Sequence, residues 1–139
     1  MTTYDLIIIG FGKAGKTLAA YAAGQGQHVA LIEQSAKMYG GTCINIGCIP
    51  SKTLVHDGIE GASFGEAFSR KNEVVSALNN KNYNNLASIE NIDILDYKTK
   101  FISNNEIALL DEAGNVKNRL TGDKIVINTG AQANIPNIK

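Results

Sequence analysis

The sequence predicts an α/β fold: a Rossmann-like parallel sheet with a β-meander on its edge. Three observations predict it. A short apolar strand runs straight into Gly10-Phe11-Gly12-Lys13-Ala14-Gly15, the spacing G-x-G-x-x-G. A second apolar run ends on an acid, Glu33, eighteen residues past Gly15. From Ile92 onward, short β-rich runs alternate with turn residues.

Tyr4–Ile9 reads as the first buried strand. Lys16–Ala23 is alanine-rich and helix-favouring, and it stops at Gly24-Gln25-Gly26. His28–Glu33 is the next strand, which makes a Rossmann-like unit of strand, loop, helix, strand and terminal acid. Gly10 serves the tight turn, Gly12 lets the backbone approach a pyrophosphate, and Gly15 permits close helix-to-strand packing. Lys13 and Ala14, inside the loop, count with them as cofactor-binding residues, because unpaired amides and the dipole at a helix start favour an anion. Glu33 stands where an acid meets a ribose hydroxyl pair, which argues against a ribose phosphate there.

The only two cysteines, Cys43 and Cys48, lie in Gly40-Gly41-Thr42-Cys43-Ile44-Asn45-Ile46-Gly47-Cys48-Ile49-Pro50-Ser51-Lys52. A thiol pair there can store two electrons as a disulfide. In an ideal helix, residues five apart are separated by roughly 7.5 Å along the axis, so bonding requires an irregular turn. Gly47 supplies backbone freedom before Cys48, and Pro50 is placed to start a regular helix with Ser51–His56 as its body. A bridge closing so small a loop stabilises less than a long-range one, so a redox role fits better than a staple. Two other readings stay open. The cysteines could be unrelated buried small hydrophobes. They could also be half of a zinc site, although the spacer is too long and only His28 and His56 remain as nitrogen ligands. Since only Ser35–Tyr39 separates Glu33 from this segment, the pair must lie near the far end of the same cofactor. Electron exchange with a dithiol calls for a flavin, hence FAD.

Further along, Phe64, Ala67, Phe68, Val75, Leu78 and Leu86 recur as one helical stripe, read as a helix from Gly65 to about Leu78. Asn79–Asn85 is expected to end that helix or start a short second one. Ile92–Tyr97, Lys100–Ile102, Glu106–Leu110 and Lys124–Asn128 read as strands, with Asp111–Asn115 as a turn. The middle of this region is the expected β-meander. Asn134–Lys139 reads as a linker.

Composition narrows the partners. Thirteen Lys plus Arg balance thirteen Asp plus Glu, so a basic face for nucleic acid is unsupported. Met1-Thr2-Thr3 precedes a strand directly, and no apolar run reaches the length of a signal-peptide core or a membrane span. A cytoplasmic protein without membrane partners is expected, and in that reducing compartment a cysteine pair is more often catalytic or redox-sensing than structural.

Taken together, Gly10–Gly15, Glu33 and Gly40–Lys52 resemble the class I pyridine nucleotide-disulfide oxidoreductases, which include lipoamide dehydrogenase, glutathione reductase and mercuric reductase. Gly10–Thr17 and Gly40–Val55 are most similar to the bacterial reactive-chlorine-resistance flavoprotein branch. The resemblance covers the whole chain but only the front of a family member. It implies that residues 1–139 form the N-terminal part of an FAD-binding domain, with the NAD(P)H-binding domain, a returning FAD segment and the dimerisation domain absent. It also implies that electrons pass from NAD(P)H to FAD, and on through Cys48, the sulfur nearest the ring. Cys43 then attacks the substrate.

On the same resemblance, Gly41 and Thr42 lie along the pyrophosphate and ribityl chain. Lys52 is similar to the lysine that approaches the flavin in lipoamide dehydrogenase. Thr99, beside Lys98, lies against the adenine, and Thr129 and Gly130 lie close to the cofactor, with Asn128 replacing the more usual alanine. Tyr83 either packs or stands near a substrate entrance. The family's His-Glu acid-base pair belongs to the absent C-terminal domain. A small-molecule disulfide, a thiol-reactive compound or a metal ion is the implied substrate of a homodimeric parent. No resident metal is expected. FAD is held tightly in the parent, whereas this stretch alone is expected to bind it weakly or not at all and to lack turnover.

Overall fold

The computed structural model describes residues 2–138; the reading of the chain start at Met1 and the last tail residue, Lys139, lie outside the described residues. In chain order, β1 spans Thr2–Ile9, α1 Lys13–Gly24 and β2 Val29–Glu33. After a 3-10 turn at Ala36–Met38 come α2 (Thr42–Asn45), α3 (Cys48–Ile59) and α4 (Phe64–Ala87). The rest is β3 (Ile92–Asp96), β4 (Lys98–Phe101), β5 (Glu106–Leu110) and β6 (Val116–Ile127).

The strands lie in the order β3-β2-β1-β6-β5-β4. The first four are parallel, whereas β6-β5-β4 is antiparallel. β6 serves both parts: its first half pairs with β5 and its stretch from Leu120 to Ile127 pairs with β1. Only Tyr97 connects β3 to β4, which stand at opposite ends of that order. One residue reaches only ~3.5 Å. The sheet must therefore curl until the meander folds back over the parallel strands.

Two cores result, divided by strand parity. Leu6, Ile8, Val29 and Leu31 pack with Ala19, Ala22 and Ala23 of α1 and Leu86 of α4. Ile7, Ile9, Ala30 and Ile32 pack with Ile107 and Leu109 of β5 and Leu120 of β6. Because β1 and β2 are covered on both faces, they read as continuous apolar runs instead of alternating ones. The molecule is thus a sandwich of helices, parallel sheet and meander.

Several expected boundaries shift. α1 begins at Lys13, three residues before the alanine-rich run, and β2 begins one residue later than expected. α3 begins at Cys48 and runs to Ile59, so Pro50 is its third residue, where a proline still breaks no intrahelical bond. β3 extends the parallel sheet beside β2, and the meander is β4-β5-β6. β6 is far longer than Lys124–Asn128, because the exposed run Val116–Arg119 is held by pairing with β5 and shows no apolar pattern.

The asparagine-rich stretch neither ends a helix nor starts another. α4 runs unbroken through it, begun by a capping box between Ser63 and Glu66. A hydrogen bond that Asn79 donates to Asn45 and one that Asn82 accepts from Lys16 offset their modest helix propensity. At the front of the predicted stripe Ala67 is buried but Phe64 is 76% exposed. α3 is fastened to α4 instead by buried Asp57, which pairs with Arg70. Among the described residues, no helix is long and apolar enough to cross a membrane.

Ile7, fully buried between parallel sheet and meander, tests this layering. Ile7→Ala is expected to cost about 2–5 kcal/mol of unfolding free energy in urea titrations, whereas Leu18→Ala on the outer face of α1 stays within about 1 kcal/mol. Equal losses would refute the two-core arrangement.

Candidate functional site

Gly10 ends the β1 run at φ +110°, and its amide donates to the Ile32 carbonyl at 2.7 Å. A Cβ there would strike the backbone carbonyl of Asn128. At Gly15 a Cβ would lie 2.5 Å from the Gly10 oxygen and 3.0 Å from Ile8 Cγ2, which confirms the helix-to-strand packing expected of this glycine. Gly41, at φ +78°, brings its Cα side so near Gly12 that a Cβ would lie 2.7 Å from the Gly12 Cα. Two glycine loops thus meet backbone to backbone.

Around that contact opens a cleft of about 670 Å³. Gly10, Gly12, Lys13 and Ala14 form one wall, and Gly41, Thr42 and Cys43 another. Glu33 and Thr99 lie on it as well, and Thr129 and Gly130 complete it. Of the residues expected to meet a cofactor, Gly15 lies beneath the loop as packing, and Lys52 stands exposed on α3 outside the lining. Cys48 is likewise not part of the lining, whereas Cys43 is.

The Glu33 carboxylate is fixed in place. Its Oε2 accepts from the Phe11 amide at 3.1 Å and its Oε1 from the Ser35 amide at 3.2 Å. Each carboxylate oxygen keeps further acceptor capacity toward the cleft.

Sequence reasoning missed the part played by Asn128. Its backbone N–H donates to the Ile9 carbonyl at 2.7 Å and its side-chain Nδ2 to the Gly10 carbonyl at 3.1 Å, so it ties the end of β6 to the first glycine turn. The departure from alanine at this position was the only signal. Tyr39 was also not singled out. It is buried, its O–H donates to Asp96 at 2.6 Å, and its ring packs between Phe11 and Tyr83. Burial, reinforced by the Asp96 hydrogen bond, pushes its phenol well above the ordinary tyrosine range. Tyr83 therefore packs against this buried ring.

The two cysteines are free, exposed thiols. Cys43 lies in the one-turn helix α2, and Cys48 opens α3. Gly47 makes the break between them, its amide returning to the Thr42 carbonyl at 2.8 Å. The irregular turn is thus real and takes the form of two short helical starts. Hydrogen bonding to Cys48 raises the Cys43 thiol above its ordinary range, with smaller contributions from desolvation and the Cys48 charge; Lys52 and Lys16 oppose the rise. Among the described residues, no three His, Cys, Asp or Glu side chains cluster to hold a metal ion.

Residues 4–139 match the sequence model of the family described as pyridine nucleotide-disulphide oxidoreductase. The probable pyridine nucleotide-disulfide oxidoreductase RclA of Escherichia coli is 56% identical over 138 residues, which cover 99% of this chain and 31% of that protein. Mercuric reductase of Bacillus cereus is 30% identical over 152 residues, covering 97% of this chain and 23% of that protein. Among solved structures, the HOCl-induced flavoprotein disulfide reductase RclA from E. coli superposes with a TM-score of 0.89 at 55% identity, over 97% of this chain and 30% of that one. Its Cu(II) complex gives a TM-score of 0.93 at 56% identity, over 99% and 31%. The chain thus spans less than a third of the length of these relatives.

A raised thiol stays protonated to higher pH, so hydrogen bonding to Cys48 suppresses the Cys43 thiolate near neutrality. Cys48→Ala is therefore expected to move the midpoint of Cys43 alkylation by iodoacetamide to lower pH. An unmoved or higher midpoint in peptide-resolved mass spectrometry would contradict the restraint that Cys48 places on Cys43.

Proposed function

The chain belongs to the pyridine nucleotide-disulphide oxidoreductase family, and from that premise we propose that it is the FAD-binding and redox-dithiol part of a flavin-dependent NAD(P)H:disulfide oxidoreductase. The observation that carries this reading is one cleft that holds a fixed carboxylate and a glycine loop and reaches Cys43. FAD suits these residues. Glu33 offers acceptors for ribose hydroxyls. The N-terminus of α1, with no acid in its first turn and Lys13 beside it, suits a pyrophosphate. Gly41 and Thr42 extend that surface toward Cys43, while Thr99, Thr129 and Gly130 lie at the remaining margins.

When bound, FAD would supply two-electron exchange between a nicotinamide and the dithiol. The chain's own part is thiol chemistry. As a thiolate, Cys43 attacks one sulfur of a substrate disulfide, forming a mixed disulfide and expelling the first substrate thiolate. Cys48 then attacks the Cys43 sulfur, expelling the second substrate thiolate and leaving a Cys43–Cys48 disulfide. The substrate gains two electrons and the dithiol loses two. Positive charge from Lys52 assists by favouring the attacking thiolate. Cytoplasmic residence, where the pair is kept reducible, and a homodimeric parent belong to the same proposal.

A second reading has support of its own: a metal ion as the electron acceptor of the same dithiol. Mercuric reductases are among the relatives, and one solved relative is described as a Cu(II) complex.

In the whole protein first oxidised by a small disulfide, which closes the Cys43–Cys48 bridge, NADH or NADPH added without air is expected to expose two additional titratable thiols per chain. Cys43→Ser and Cys48→Ser should each abolish that gain; a gain that survives either substitution would sink the dithiol reading. Glu33→Ala is expected to weaken FAD retention, since charge-assisted hydrogen bonds of about 1.5–3 kcal/mol each are lost. Unchanged flavin content after dialysis would show that the acid serves only its own loop.

A further inference from the structure

Lys16 is a lysine of α1 that lies outside the G-x-G-x-x-G loop and outside the cleft lining. It lies one turn along α1 from Gly12, its amide donating to the Gly12 carbonyl at 3.0 Å. Gly12 is the residue against which Gly41 packs, two positions before Cys43. The Lys16 side chain is half-buried and reaches across to α4, where its ammonium donates to Asn82 Oδ1. Among the described residues, no carboxylate pairs with it.

Asn82 is itself fixed. Its Nδ2 donates to the Leu78 carbonyl at 2.7 Å, which leaves Oδ1 as the acceptor turned to Lys16. It also sits against the redox loop, because a Cβ on Gly40 would lie 3.2 Å from Asn82 Cγ. A lysine that merely filled surface would gain nothing from this tether, whose desolvation cost falls on the ammonium. Burial and the neighbouring Lys13 push the Lys16 amine down, and Cys43 pulls it back up. Reciprocally, Lys16 counters the upward shift of the Cys43 thiol. The charged and titratable groups acting on Cys43 are Lys16 from α1, and Cys48 and Lys52 from α3.

We propose that Lys16, tethered by the Asn82 side-chain amide, is a positioning residue for Cys43: it holds a positive charge beside the sulfur and so favours the thiolate that attacks substrate. This rests on Cys43 being the attacking thiol. Lys16 works through the field at Cys43. An amide tether suits the task better than a carboxylate, which would neutralise the ammonium.

The test is the pH profile of Cys43 alkylation by iodoacetamide in the reduced whole protein, resolved by peptide mass spectrometry. Lys16→Met is expected to raise the midpoint by roughly half to one pH unit, an about three- to tenfold slower reaction at pH 7. Lys16→Arg should retain the parent profile, and Asn82→Asp should shift it in the same direction as Lys16→Met. Profiles of Lys16→Met and Asn82→Asp that superimpose on the parent overturn the proposal. So does a rate lowered equally at every pH with no moved midpoint, which is what a purely structural role produces. Undiminished disulfide reduction by Cys43→Ser would instead overturn Cys43 as the attacking thiol. That failure is separable, because alkylation reads the effect of Lys16 without turnover.

Discussion

The site depends on the backbone of Gly41 lying against the Cα of Gly12, where a methyl group at position 41 would collide at 2.7 Å. This contact joins two loops that arise from different elements: the turn between β1 and α1, and the segment leading into the cysteines. Because both loops are glycine where they meet, that part of the cleft wall is bare backbone. Such a wall accepts an anion that larger residues would exclude. It also fixes how far Cys43 stands from the Gly10–Gly15 loop, so the placement of the thiols follows from a packing constraint between glycines.

That constraint is held from outside by three tethers. Asn128 binds the Gly10 carbonyl from the end of β6. Glu33 binds the Phe11 amide from the end of β2. Asn79 of α4 donates to Asn45 in the redox loop at 3.0 Å, while Asn45 donates to the carbonyls of Tyr39 and Gly41 at 2.9 Å each. Each tether spends a polar side chain on a backbone group or amide that would otherwise lie unpaired at a half-buried loop. The curled sheet makes them possible. With the meander folded over one face and the helices over the other, the carboxyl ends of β1, β2 and β6 converge on one rim.

The electrostatics of the rim are sparse. Lys13 and Lys98 are the cations that line the cleft, Lys16 and Lys52 stand outside that lining, and Glu33 is its carboxylate, already engaged with amides. Opposed influences on Cys43 leave its reactivity adjustable: the partner thiol restrains ionisation and the lysines promote it. Thiol–disulfide exchange, the chemistry proposed for this pair, needs an attacking sulfur that ionises and a second sulfur within reach.

Local spacing made much of this legible. The glycines of the first loop, Glu33 at the end of β2 and the cysteine frame are each defined by residues close in sequence, and backbone conformation over such distances follows from side-chain type. The longer elements were less legible. β6 begins with exposed residues that only β5 holds in a strand, and α4 continues through asparagines that bond to the cysteine loop and to Lys16 of α1. The contacts of Asn128 with Gly10 and of Asn82 with Lys16 join residues 118 and 66 positions apart. Neither could be read from periodicity, because a polar side chain at such a separation carries no local pattern. The sequence by itself determined the motifs and the chemistry they permit; the tertiary structure decided which distant side chains hold them, since chain topology alone brings those groups within hydrogen-bonding reach.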